Sequence, residues 1–292
     1  MNNKCQIIGI TSGKGGVGKT FFSVNMAISA AKSGKKVLII DADLGLANVH
    51  IMAGIYPEHD LLDFIDGKAE LKDIIAEGPE GIHIIPGASG IFKLTTLTHA
   101  KRYQLIQQLV AIEKEYDLII IDTEAGISHN VLRFLNIADK VIVLTTPDLT
   151  ALADAYAIIK VIHTKKIHKN INLIVNRVRS KAEGELIYSR INNATEKFLN
   201  LSVNKLGFIV EDHNTLKDSI KNRKPVVTYY NKTKVASNIT EITDDVLQIQ
   251  KVSMPEQQTN GNNNVVLNRF SMLLNNIKIK ESTKVESEVN AN

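Results

Sequence analysis

The chain has 292 residues, 44% of them apolar and 23% charged, with a formal net charge of +4, the composition of an ordinary globular protein large enough for one α/β domain and a tail. The weak charge and the lack of a long basic block argue against direct DNA binding, and the single cysteine, Cys5, excludes an intrachain disulfide or a cysteine-held cluster. The opening residues do not read as a signal peptide and no run of about 18 apolar residues occurs, so a cytoplasmic location is expected.

Along the chain, short apolar runs alternate with helical patterns. Gln6–Thr11 reads as a strand, Thr20–Ser33 as a helix, and Lys36–Asp41 and Ile82–Pro86 as strands. A helix over Thr98–Glu115 precedes strands at Leu118–Asp122 and Lys140–Thr145. Helix Leu149–Lys166, strand Asn172–Asn176, helix Glu183–Leu199 and strand Lys205–Val210 follow. The strand runs are nearly continuous rather than alternating, as in strands covered on both faces. Such β–α alternation predicts a doubly wound, mostly parallel sheet with right-handed crossovers. We expect this domain to span residues 1–250, a polar linker to span 251–264, and a charged, disordered tail to span 281–292. Between them, Val266, Leu267, Phe270, Leu273, Leu274 and Ile277 recur at helical spacing. On a helix they fill a sector of roughly 120°. Residues 265–280 therefore read as an amphipathic helix able to lie in a membrane interface, the alternative being a helix that packs on its own domain or on a partner.

The segment GKGGVGKT, Gly13–Thr20, follows the first strand and opens the first helix. It matches G-x-x-x-x-G-K-[ST] in the context that motif requires. Gly13, Gly15, Gly16, Val17 and Gly18 let successive amides converge on phosphate oxygens, and the helix start adds its positive end. Lys19 is assigned to the β- and γ-phosphates and the Thr20 hydroxyl to Mg²⁺. Two strands end in acidic words, DADLG from Asp41 and IDTEAG from Ile121, at the sheet edge where doubly wound folds bind ligands. Asp122 reads as the carboxylate that holds Mg²⁺, Asp41 as its support, and Asp43 as the residue that positions or activates the attacking water. After the strand at 172–176 the chain reads VNRV, without the carboxylate that guanine's donors demand. ATP and ADP are therefore the expected nucleotides, with Asn176 at the base and Arg177 at the pocket edge.

KGGVGKT, Lys14–Thr20, resembles the deviant Walker A signature of the MinD/ParA ATPases. The resemblance implies an ATP-bound homodimer in which Lys14 reaches the nucleotide of the second subunit. GFIVED, Gly207–Asp212, is similar to the loop that closes the base pocket there. Val210 replaces its usual proline, and Glu211 and Asp212 are the implied contacts. Four longer segments resemble the FlhG/FleN family: DADLGLANVHIMAGI (Asp41–Ile55), IIPGASGI (Ile84–Ile91), IDTEAGIS (Ile121–Ser128) and TTPDLTALADAYAIIKVI (Thr145–Ile162). This family regulates flagellar number and placement, so the resemblance implies slow, regulatory ATP hydrolysis and reversible binding to the inner membrane face. The implied partners are an FlhF-like GTPase, a C-ring component or a flagellar transcription activator. The few residues before the first strand are more like FleN than like relatives with a GTPase-stimulating N-terminal element. Two positions depart from the pattern: His50 stands where Asp is usual, and Glu124 where a small residue is usual. Glu124 reads either as solvent-facing or as an extra carboxylate near the γ-phosphate that repels phosphate or changes hydrolysis. The alternatives are a ParA-like partition ATPase, which would need a basic DNA surface, and a MinD-like division regulator. An iron–sulfur reductase of the same fold would need two cysteines per subunit.

Overall fold

The computed structural model describes residues 5–43, 47–87, 99–168 and 170–252, with side chains described there except at 99–103 and 248–252. The apolar runs form the strands β1 (Gln6–Thr11), β2 (Val37–Ala42), β4 (His83–Ile85), β5 (Leu118–Thr123), β6 (Lys140–Thr145), β7 (Ile171–Val178) and β8 (Asn204–Val210). A two-residue strand, β3 (Ala76–Glu77), joins them. They make one eight-stranded sheet in the order β3-β4-β2-β5-β1-β6-β7-β8. Every pairing is parallel except β3 with β4. β1, β2, β5 and β6 are buried almost throughout, as their unbroken apolar sequences require.

Helices cover both faces: α1 (Lys19–Lys32), α2 (Val49–Ala53), α3 (Leu61–Asp66), α4 (His99–Glu113), α5 (His129–Ile137), α6 (Leu149–Thr164), α7 (Lys181–Leu199), α8 (His213–Asn222), α9 (Val226–Tyr229) and α10 (Lys234–Val252). One core lies under α5, α6 and α7, with Ile7, Ile119, Ile121, Val141 and Val143 from the sheet. The other holds α1 and α10 against Ile8, Ile10, Ile39, Ile120 and Ile142. Each fully buried isoleucine contributes about 1.5–3 kcal/mol relative to exposure. In α1, 11 of 14 residues are buried. It is apolar around most of its circumference, which places it inside the domain rather than on its surface.

The predicted α/β architecture is borne out, with β1 and β6 at the predicted bounds. The sequence reading did not place α2, α3, α5, α8, α9, α10 or the antiparallel β3. Helix α10 carries the folded chain to Val252, two residues past the expected boundary at 250. The expected linker from 253, the amphipathic helix 265–280 and the tail 281–292 lie outside the described residues.

Candidate nucleotide site

Strand β1 and its neighbours β5 and β6 end together at one edge of the sheet, and α1 leaves from there toward β2. The Gly13–Thr20 loop spans that turn. Its shape is set by close contacts. A Cβ on Gly13 would sit 2.1 Å from the carbonyl oxygen of Asp154 on α6, so only glycine lets the loop lean there. Gly18 has φ +98°, a left-handed conformation that L side chains rarely adopt. Gly18 offers α1 no side-chain cap, and no acidic residue stands in its first turn. The first turn of α1 thus supplies no anionic side chain of its own to its amides, and a phosphate group fits there. The Ser12 hydroxyl donates to the Lys14 carbonyl at 2.7 Å, and the Gly126 amide donates to the Ser12 carbonyl at 2.9 Å. The loop after β5 is thereby tied to the loop after β1.

Asp122 lies fully within the protein at the end of β5. Its two oxygens accept from the Thr20 hydroxyl at 2.7 Å and the Ser23 hydroxyl at 2.8 Å. Burial pushes its carboxyl pKa up, while those two hydroxyls and Lys19 pull it back. Asp41 is its direct cross-strand neighbour on β2. Burial and the nearby Asp122 raise Asp41 to about 7, opposed by backbone hydrogen bonds. Its carboxylate accepts from the amides of Asp43, Asn48 and Val49 at 3.0–3.2 Å. It therefore holds the start of α2 as well as standing beside Asp122. Thr20 and Asp122 are placed to hold a divalent ion with the phosphates. Two adjacent carboxylates without a cation cannot both ionise cheaply.

This pair predicts a pH dependence. In the free protein the folded Asp41/Asp122 pair keeps a proton that the unfolded chain releases near the ordinary value of 3.8. Its stabilising contribution is full below about pH 4 and is lost as pH rises through about 7, an effect on the order of 2–4 kcal/mol. Mg²⁺ can replace that proton. Addition of Mg-ADP should therefore raise the melting temperature more at pH 8 than at pH 6. An equal rise at both pH values would contradict the assignment.

Lys19 is 8% exposed. Burial lowers its pKa, and Asp122, Asp43 and Glu124 work against that lowering. Asp43, at the end of β2, thus stands within the electrostatic reach of both Lys19 and Asp122. Glu124 is half-buried rather than fully solvent-facing, and its carboxylate accepts from the Ser128 hydroxyl at the N-cap of α5. The second departure, His50, lies on α2 near Arg223, and burial and that charge keep its imidazole below the usual value. The Lys14 side chain reaches the N-terminus of α6. Its ammonium contacts Asp148 at 3.1 Å and the Thr150 hydroxyl at 2.5 Å. Asp148 caps α6, and the Thr150 hydroxyl and amide, then Lys14, hold its carboxyl down at about 2.

At the base end, Asn176 is buried and its amide nitrogen donates to the Val17 carbonyl at 2.8 Å, so it braces the phosphate loop. Its side-chain oxygen accepts from the Arg177 amide at 2.9 Å. Arg177 has φ +58° at a register shift between β7 and β8, and is exposed. Asp212 accepts from the Thr215 amide as the N-cap of α8, and Glu211 is exposed with its amide bonded to the Val178 carbonyl. The structure thus brings Lys19, Thr20, Asp41, Asp43 and Asp122 together. It assigns Asn176 and Asp212 scaffold contacts that the sequence did not suggest. Ser23 and the Asp148/Thr150 pair were missed. Ser23 had a signal, one turn after Lys19 on the same helix; Asp148 and Thr150 had none, lying over 130 residues from Lys14.

Fold and site together define a P-loop nucleotide hydrolase. Comparison with known proteins agrees. A family described as an AAA domain matches residues 5–175. The antiactivator FleN of Pseudomonas aeruginosa is 36% identical over 218 residues, covering 75% of this chain and 78% of the relative. The flagellum site-determining protein YlxH of Helicobacter pylori is 38% identical over 220 residues, covering 75% and 74%. Among solved structures, the septum site-determining protein MinD of Pyrococcus horikoshii, complexed with Mg-ADP, superposes with a TM-score of 0.69 at 26% identity, covering 86% of this chain and 99% of that one. The chain belongs to the MinD/ParA family of ATPases, in the group that holds FleN and YlxH. Enzymes of this kind use ATP and ADP with Mg²⁺.

Proposed function

We propose that this protein is an ATP-driven dimerising switch that sets flagellar number or placement. The observation that carries the proposal is the position of Lys14. It stands in the phosphate loop with its ammonium held at the start of α6 by an exposed ion pair that a second subunit can displace. A cation supplied across an interface stabilises negative charge in phosphoryl transfer. In this reading Gly13–Gly18 and Lys19 grip the phosphates, Thr20 and Asp122 hold Mg²⁺, and Asp41 supports them. Asp43 orients water for attack, giving ADP and phosphate. Asn176, Arg177, Glu211 and Asp212 border the base. The metal, when bound, neutralises phosphate charge. Similarity to FleN and YlxH supports the flagellar role, with an FlhF-like GTPase, a C-ring component or a transcription activator as partner.

Membrane association is assigned to residues 265–280, carried beyond a linker over 253–264 and followed by a tail at 281–292. No helix among the described residues is long and apolar enough to cross a membrane. A single short amphipathic helix binds weakly, but two helices joined in a dimer gain on the order of 10²–10⁴ in avidity if both engage. The test is size-exclusion chromatography and sedimentation with anionic liposomes, on the full chain and on a chain lacking residues 265–292. With ATP and Mg²⁺ both should elute as dimers, and only the full chain should pellet. A chain that stays monomeric with ATP, or a truncated dimer that still pellets, would overturn the corresponding half.

A further inference from the structure

Positive charge is concentrated on one stretch of the chain. Residues 213–234 carry Lys217, Lys221, Arg223, Lys224, Lys232 and Lys234 against a single carboxylate, Asp218. All six cations are exposed, and none forms an ion pair among the described residues. On α8, Lys217, Ile220 and Lys221 fall at i, i+3 and i+4, on one side of the helix. Ile220 is 47% exposed there. Two of the cations are seated on aromatic rings. The Arg223 guanidinium lies 4.9 Å from the centroid of Tyr56 and donates to its hydroxyl. Lys224 Nζ lies 5.4 Å from the centroid of Tyr229. The two rings are 79% and 57% exposed. The turn that carries both cations is clamped. The Ser219 hydroxyl donates to the Lys224 carbonyl at 2.7 Å, and the Lys224 amide donates to the Ser219 carbonyl at 2.9 Å. Arg223 closes α8 at φ +52°, a position that usually takes glycine. The side chain, not the backbone, accounts for an arginine there.

We infer that this face of α8, with the turn that follows it, docks an acidic segment of a partner protein. Arginine, tyrosine and an exposed aliphatic residue together are the composition of a protein interface. An in-plane membrane element needs a continuous apolar stripe instead, and a phosphate backbone has no use for an exposed isoleucine. The planar guanidinium, steadied by Tyr56, presents its fork to a carboxylate. The face is complete within one subunit, so it does not depend on the dimer proposed above. It also bears on the nucleotide site. Gly54, at the end of α2, packs so closely that a Cβ there would lie 2.6 Å from the Arg223 carbonyl oxygen. The start of α2 hangs on the Asp41 carboxylate through the amides of Asn48 and Val49. A partner seated on Arg223 therefore presses on an element whose other end is tied beside Asp122, and partner and nucleotide bias each other's binding.

The test is fluorescence anisotropy of the full chain with a labelled helical peptide of glutamates and leucines, and with a control peptide in which glutamines replace the glutamates. The control should bind about tenfold more weakly or worse. Arg223→Gly suits the backbone at that position, so its melting temperature should hold while peptide affinity falls about tenfold. Lys221→Glu combined with Lys224→Glu should lose at least as much, and Lys165→Gln, an exposed lysine at the far end of α6, should lose nothing. Mg-ADP should shift the peptide's affinity by about fivefold or more. Equal binding of the two peptides, or full affinity in the double variant, overturns the docking face. So does a double variant that keeps its hold on the peptide but loses anionic vesicles or duplex DNA. The same peptide affinity with and without Mg-ADP overturns the link through α2.

Discussion

Replacing Lys19 with alanine is expected to weaken ATP binding by about 10²-fold or more, as removal of one member of a buried charge pair does. The ammonium sits 8% exposed among the fields of Asp122, Asp43 and Glu124. Without it, those carboxylates meet the phosphates with no cation from the chain between them. The folded state should survive, because the same substitution removes the desolvation that now lowers the lysine's pKa. Calorimetric titration with Mg-ATP reads the loss directly, and micromolar affinity in the variant would refute the phosphate assignment.

Asp43→Ala is expected to behave differently. Binding and dimerisation should persist while turnover falls by about 10²–10⁴-fold, the usual contribution of a positioned base or water-orienting group. Asp43 directly follows β2 with its amide bonded to Asp41 at 3.2 Å, so its backbone place is fixed by a neighbour that the substitution leaves intact. Single-turnover hydrolysis and ATP affinity on the same sample separate the two effects. Unchanged turnover would remove Asp43 from its role. A parallel loss of affinity would make it a binding group instead.

The sheet was legible because fully covered parallel strands leave a signal that needs no partner: Ile7–Ile8 and Val141–Leu144 are apolar on both faces. The phosphate loop was legible for a similar reason, since glycine spacing, strand and helix are all local. Helix α10 carries Val235, Ile239, Ile242 and Val246 at helical spacing, buried against α1 and β8. That pattern is diluted by Thr240, Thr243, Asp244 and Asp245 and follows no strand, so the alternation rule did not reach it. β3 has two residues, too few for any period. The second contacts of the site were hidden for another reason. Asn176 meets Val17 across 159 residues and Asp148 meets Lys14 across 134. No spacing rule joins positions that only the folded sheet brings together.

Helix α1 is wedged between the sheet and α10, with polar anchors at Asn25, which accepts the Val227 amide at 3.1 Å, and Lys32, which donates to the Val227 carbonyl at 2.8 Å. A helix enclosed in this way cannot tilt or slide without opening the whole second core. The phosphate grip is then a fixed jaw. Exchange of spent nucleotide for fresh has to be served by the loops that face it, and whatever speeds or slows that exchange in the cell must act on those loops.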